Sequence, residues 1–297
     1  MQTLTIANEK GGVGKTTLSC LLAFYLAEKR GGRVAAIDVD GQGNLSHTLR
    51  QYRIEVPATA LFQDEPIALP AVRKTIAVFP ATPKLKNLEI GTEQVQHQRV
   101  RTFMAQVDAL SEHFDYCLID PPPTAGMRLV ATLAAAEYVT MPIELEEYSR
   151  EGVKNMLQTI FGVRAEYNPR LKFIGILPNR VMKTQPRQRS ALIDLFAHYS
   201  DYLLPGQVAV TTRSAIPRAL EEGKPEFTGF KSSMFFDQLL QLTMEGFFAD
   251  PIYGGNRDKV AWKMIGFPGL PASYREEIKT YFNKKYDGEP QSIADFS

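Results

Sequence analysis

The chain has 297 residues, of which 44% are hydrophobic and 23% charged, and a formal net charge of +1. That length accommodates one large α/β domain, or one with an appendage, and the composition is that of a globular chain able to bury a sizeable core. The near-neutral balance excludes a uniformly basic chain, so any nucleic-acid binding must come from a local patch. No apolar run approaches the ~20 residues of a membrane-spanning helix, and no charged-then-apolar export signal opens the sequence. The expected compartment is therefore the cytoplasm, with no membrane partner. Cys20 and Cys117 lack CxxC spacing and read as reduced core residues.

In chain order, Leu4-Thr5-Ile6-Ala7 reads as a buried strand, and Leu18, Leu21, Leu22, Tyr25 and Leu26 have the spacing of an amphipathic helix. Between them lies Glu9-Lys10-Gly11-Gly12-Val13-Gly14-Lys15-Thr16-Thr17. A glycine-rich turn from strand to helix is what a phosphate loop requires. Glycines let the backbone approach an anion, and the N–H groups from Gly11, Gly12, Val13 and Gly14 into Thr16 and Thr17 point at it. Lys15 adds charge at the β/γ-phosphates, and the Thr16 hydroxyl can ligate Mg²⁺. Gly31-Gly32 stops the helix, and Arg33 to Asp38 reads as a second strand running into Asp38-Val39-Asp40-Gly41-Gln42-Gly43-Asn44. Carboxylates leaving the C-terminal end of a strand sit where open parallel sheets bind ligands.

Residues 52–75 are proline-bearing and irregular, with short helical pieces at most. Ile76 to Ala81 reads as a strand and Thr92 to Glu112 as a polar helix, on which His97 and the nearby His113 are solvated side chains rather than metal ligands. Phe114 to Asp120 is an apolar strand closing on an acid, the expected position for a carboxylate that holds Mg²⁺ through a water. Tyr138 to Ile143 and Phe173 to Arg180 supply further strands, with a helix from Ser149 to Ala165 between them. Asn179 ends the last strand, where a side-chain amide can read an adenine edge. Lys183, Arg187, Arg189, Arg213 and Arg218 are candidates for a basic face toward DNA phosphates. Strands alternating with helices at this spacing predict an α/β fold with a doubly wound, mostly parallel sheet.

A general phosphate loop needs only Lys15, so Lys10 is the discriminating residue. Lys10 to Thr17 resembles the deviant Walker A loop of the ParA/MinD family of P-loop partition ATPases. Asp38 to Asn44 resembles that family's second acidic loop, and Leu118 to Pro122 its Walker B strand. Over residues 1–232 the resemblance implies an ATP-bound homodimer in which Lys10 reaches the partner's nucleotide. It further implies Lys15 and the loop amides on the phosphates, Thr16 and Asp120 (the latter through a water) organising Mg²⁺, and Asp40 positioning the attacking water. ATP and Mg²⁺ are the implied cofactors, and Lys10, Lys15 and Asp40 the implied catalytic residues. Nonspecific DNA, contacted through Arg213 and Arg218, and a ParB-like centromere-binding protein are the implied partners, in a cytoplasmic, nucleoid-associated protein. With no N-terminal extension, the short partition type is expected, although another positioning ATPase of the family is an alternative. Gly41 stands where the family usually has proline, which is expected to loosen the loop carrying Asp40.

Composition shifts near Ser232. Twelve of the 30 aromatic residues fall in the last 64, which carry a net charge of −2 against +3 for the rest. Residues 233–297 are accordingly expected to be an appended, aromatic-rich segment. Thr243 to Asp258 and Trp262 to Gly269 resemble the C-terminal part of the small (gamma) subunit of gluconate 2-dehydrogenases. That resemblance implies a junction of unrelated genes near 230–236, or alternatively an accessory subunit of a membrane-bound dehydrogenase.

Overall fold

A computed structural model describes residues 1–28, 30–70, 74–182, 185–199 and 202–203. Its elements are β1 (Gln2–Ile6), α1 (Lys15–Glu28), β2 (Val34–Asp38), α2 (Asn44–Thr48), β3 (Ile76–Phe79) and α3 (Glu93–Ala109). They continue with β4 (Tyr116–Asp120), α4 (Met127–Ala135), β5 (Tyr138–Glu144), α5 (Arg150–Glu166), β6 (Lys172–Asn179) and α6 (Pro186–Tyr199). Short 3₁₀ turns at Arg50–Tyr52 and Ala58–Phe62 occupy the irregular stretch. Thr92 caps α3, its hydroxyl accepting from the Val95 N–H.

The sheet runs β3-β2-β4-β1-β5-β6. Pairings of β1 with β4 and β5, and of β2 with β3 and β4, are parallel. The crossovers lead from β1 one way to β2 and β3, then back through β4 to β5 on the other side of β1. Such a switch point opens a crevice at the C-terminal strand ends. β2 and β3 are buried at every residue, as strands covered on both faces are.

The described chain divides into two compact units. In the first, Met1–Pro142 with Glu151–Phe173, α1 departs from the one-faced helix that its spacing suggests. Ser19, Cys20, Ala23 and Phe24 are buried along with the leucines, because α1 packs on β1 to β4 and also on α2. Its end is set by Gly31, at φ 67°, and by the Gly32 N–H on the Leu26 carbonyl at 3.1 Å. Phe62 stacks on Phe103, and Phe79 meets Phe114 edge-on, filling the core beside β3 and α3. Cys20 and Cys117 are buried free thiols. His97 accepts or donates at the Tyr167 hydroxyl and lies 3.5 Å from Glu93 and 3.6 Å from Glu166.

The second unit contains residues 143–150 and continues from Ile174. Asp194 on α6 is its hub, accepting from the Tyr148 hydroxyl and from Arg150 Nε, each at 2.9 Å. Arg180 pairs with Glu144 at 2.6 Å. Among the described residues, no helix is long and apolar enough to cross a membrane. The appended segment 233–297 lies outside the described residues.

Candidate nucleotide and metal site

The loop between β1 and α1 turns through Gly12 at φ 81° and Gly14 at φ 94°, conformations that a side chain would oppose. A bend of this kind lays successive N–H groups around an anion ahead of the α1 N-terminus. Lys15 is buried, and its Nζ donates to the Lys10 carbonyl at 2.7 Å. Burial pulls the Lys15 ammonium below its usual range, opposed by the charges of Asp120 and Asp40. Lys10 itself is exposed. Its backbone N–H is held at 3.0 Å by Asn8 Oδ1, while Asn8 Nδ2 donates to the Pro142 carbonyl at 2.7 Å. The Thr159 hydroxyl on α5 donates to Glu9 at 2.7 Å. The N-terminal flank of the loop is thus fastened to β5 and α5.

The β2–β4 register sets Asp38 beside Asp120 at the C-terminal ends of the two strands. Thr16 Oγ1 donates to Asp120 Oδ2 at 2.7 Å, and Ser19 Oγ reaches Oδ1 at 3.3 Å. Asp38 accepts from the Asp40 N–H at 3.2 Å and from the Ser46 N–H and hydroxyl at 2.7 and 2.6 Å. Ser46 Oγ in turn accepts from the Ala81 N–H at 2.9 Å. Burial pushes the Asp38 carboxyl up to about 6 against its Ser46 bonds. The Asp120 carboxyl is pushed up to about 8, first by burial and then by the Asp38 charge, with Thr16 and Lys15 pulling it down.

A fully buried carboxylate disfavoured in its charged form, touching a threonine hydroxyl, is a hard oxygen pair that a divalent cation would compensate. Thr16 and Asp120 therefore fit Mg²⁺, and the loop from Gly11 to Thr17 fits the phosphates that such an ion accompanies.

Asp40 is 9% exposed and starts a tight turn. Its Oδ1 accepts from the Gln42 N–H at 3.0 Å, and its carbonyl from the Gly43 N–H at 3.0 Å. These two bonds close the turn around Gly41. Its φ is not left-handed, and a Cβ there would meet Lys86 and Arg128 only at 3.7–3.9 Å.

The structure gathers Lys10, Gly11 to Thr17, Asp40 and Asp120 at the C-terminal ends of β1, β2 and β4 in the first unit. Asn179 ends β6 in the second unit and is buried at 4% exposure. Arg187 is exposed on α6, whereas Arg213 and Arg218 lie outside the described residues. Four positions escaped the sequence reading: Asn8, Ser46, Glu89 and Arg128. An Asn two residues before a loop amide is a local signal for Asn8. The other three make contacts that cross elements.

A family model described as an AAA domain matches residues 1–173, and a second, gluconate 2-dehydrogenase subunit 3, matches residues 179–269. The chain is 40% identical to Protein IncC of Escherichia coli over 236 residues, which is 76% of this chain and 63% of that protein's length. It is 38% identical over 178 residues to the chromosome-partitioning ATPase Soj of Thermus thermophilus, covering 59% of this chain and 67% of Soj. Apo McdA from Cyanothece superposes with a TM-score of 0.68 at 22% identity, over 83% of this chain and 99% of McdA, a likeness of fold. The chain belongs to the ParA/Soj/IncC family of deviant Walker A, P-loop partition proteins.

Proposed function

We propose that the chain is an Mg²⁺-dependent ATPase switch for plasmid or chromosome partition, pairing with a second copy of itself when ATP is bound. The observation that carries the reading is the two-lysine loop, in which Lys15 is buried on the Lys10 carbonyl while Lys10 is exposed. Lys15 and the loop amides neutralise the β/γ-phosphates, and Lys10 reaches the nucleotide of the second copy. Asp40 orients the attacking water, held by the turn that starts at its own carbonyl. Thr16, with Asp120 through a water, would hold Mg²⁺, which would supply positive charge at the phosphates. Phosphoryl transfer needs positioning and charge neutralisation more than covalent help, which is what these residues supply.

Asn179 contacts the adenine edge, and Arg213 and Arg218 bind nonspecific DNA phosphates when ATP is bound. A ParB-like centromere-binding protein stimulates hydrolysis, and the complex sits on the nucleoid in the cytoplasm. The test is a steady-state ATPase assay with and without nonspecific DNA, on the full chain and on Lys15→Ala. Mg²⁺-dependent turnover that falls by about 10²-fold or more in Lys15→Ala is expected. Turnover indifferent to that substitution would refute the proposal. Replacing Arg213 and Arg218 should lower the salt slope of DNA binding by about one per lost phosphate contact.

A second reading concerns the C-terminal segment alone. The gluconate 2-dehydrogenase subunit 3 match at 179–269, which overlaps the end of the expected ATPase region of about 1–232, favours it as an accessory, partner-binding segment. Nucleotide-independent association with a dehydrogenase flavoprotein subunit would support that reading over the first.

A further inference from the structure

Val39 lies between the two acids of the β2 loop, and its peptide is gripped from both sides. Its N–H donates to the Asp120 carbonyl at 3.0 Å, and its carbonyl accepts from Arg128 Nη1 at 3.1 Å. Arg128 is the second residue of α4 and is only 8% exposed. Its Nε pairs with Glu89 Oε1 at 2.8 Å.

Glu89 is itself anchored. Its Oε2 accepts from the Met127 N–H at 2.8 Å, so it caps α4, where a carboxylate is favoured. Arg99 on α3 donates to the carbonyls on either side of it, Leu88 and Ile90, each at 2.7 Å. Gly126 gives it room, because a Cβ there would stand 2.8 Å from Oε2.

A buried guanidinium aimed at one backbone carbonyl costs desolvation that a general packing role would not require. The carbonyl it chooses belongs to the residue preceding Asp40, and the helix it starts follows the Asp120 loop by a few residues. We propose that Arg128, seated by Glu89, is a positioning residue that locks the Val39 peptide and so fixes where Asp40 stands relative to Asp120. This inference rests on the ATPase reading for its effect on turnover, though not for its effect on the loop. A misplacement of about 1 Å is enough to cost on the order of 10²-fold in rate.

The test uses the full chain with Arg128→Met, Arg128→Lys and Glu89→Gln, read by ATP kcat and KM and by hydrogen exchange of the peptide spanning residues 39–43. Arg128→Met should lower kcat by about tenfold or more with KM within about twofold. It should also raise exchange across 39–43 while leaving the phosphate-loop peptide unchanged. Arg128→Lys, which can reach one partner but not both, should fall between Met and wild type, as should Glu89→Gln. If Arg128→Met does not fold, these two variants alone decide. A kcat unchanged in the variants, or a fall in kcat without faster exchange at 39–43, overturns the positioning role. If the unmodified chain hydrolyses no ATP, the ATPase reading fails, and unchanged exchange at 39–43 would still separately overturn the lock.

Discussion

Lys15 is held inside the loop by the Lys10 carbonyl, where burial works against its charged form and Asp120 and Asp40 favour it. A phosphate arriving there would favour the charged form, because the anion replaces lost hydration. Lys10 stands in the opposite condition, exposed on a backbone that Asn8 fixes. Lys10→Ala is therefore expected to leave ATP affinity within about threefold while lowering kcat by about 10²-fold, as for loss of one transition-state charge contact. Equal turnover in mutant and wild type, measured under saturating ATP, would remove Lys10 from the mechanism.

The paired acids make a pH prediction. Asp38 and Asp120 have folded-state pKa values pushed up to about 6 and about 8 from an ordinary 3.8. The folded state thus binds these protons more tightly than the unfolded chain. Their contribution to stability is full below about pH 4 and is lost as pH rises through 6 and then 8. Protein stripped of metal and nucleotide should melt at progressively lower temperature across that window, and Asp120→Asn should flatten the upper part. A melting temperature with the same pH slope in wild type and Asp120→Asn would contradict the assigned cause. At this scale the sequence was legible where chemistry is local: the lysines and the strand-ending acids announce themselves by neighbours in the chain. Glu89 and Arg128 are 39 residues apart and lie in unremarkable contexts, so only folding brings them together.

Strands were the most readable elements, because β2 and β4 are short apolar runs that each stop at an acid, and parallel pairing places those acids side by side. The spacing of apolar residues in α1 predicts one apolar face, yet the helix is enclosed by the sheet and α2. The small and polar residues Ser19, Cys20 and Ala23 are tolerated in that enclosure but do not signal it. Gly41 in place of proline predicts a looser acidic loop. Its turn is closed by Asp40 accepting from Gln42 and Gly43, bonds that follow from an Asx residue and a glycine more than from residue 41. Because Gly41 occupies the second position of that turn with ordinary space around its Cα, Gly41→Pro should stabilise the protein. The expected gain is about 0.4–1 kcal/mol, or roughly 1–4 °C in Tm. A lower Tm by differential scanning calorimetry would show that the glycine is required there.

On the scale of the whole chain, two family matches meet within a few residues, one ending at 173 and the other beginning at 179. Alternating strands and helices made the ATPase-like part readable because each crossover repeats the same physical solution. The aromatic-rich remainder offered a change in composition but no chemistry of its own. The proposed partition switch needs more than one chain, since in that proposal the exposed Lys10 acts on the nucleotide of a second copy. Light scattering on the full chain with Mg²⁺ and a slowly hydrolysed ATP analogue, against ADP, tests this most directly. The expected result is a mass that doubles with the analogue, stays monomeric with ADP, and no longer doubles in Lys15→Ala. A mass independent of nucleotide, or doubling that persists in Lys15→Ala, would contradict a dimeric switch governed by this loop.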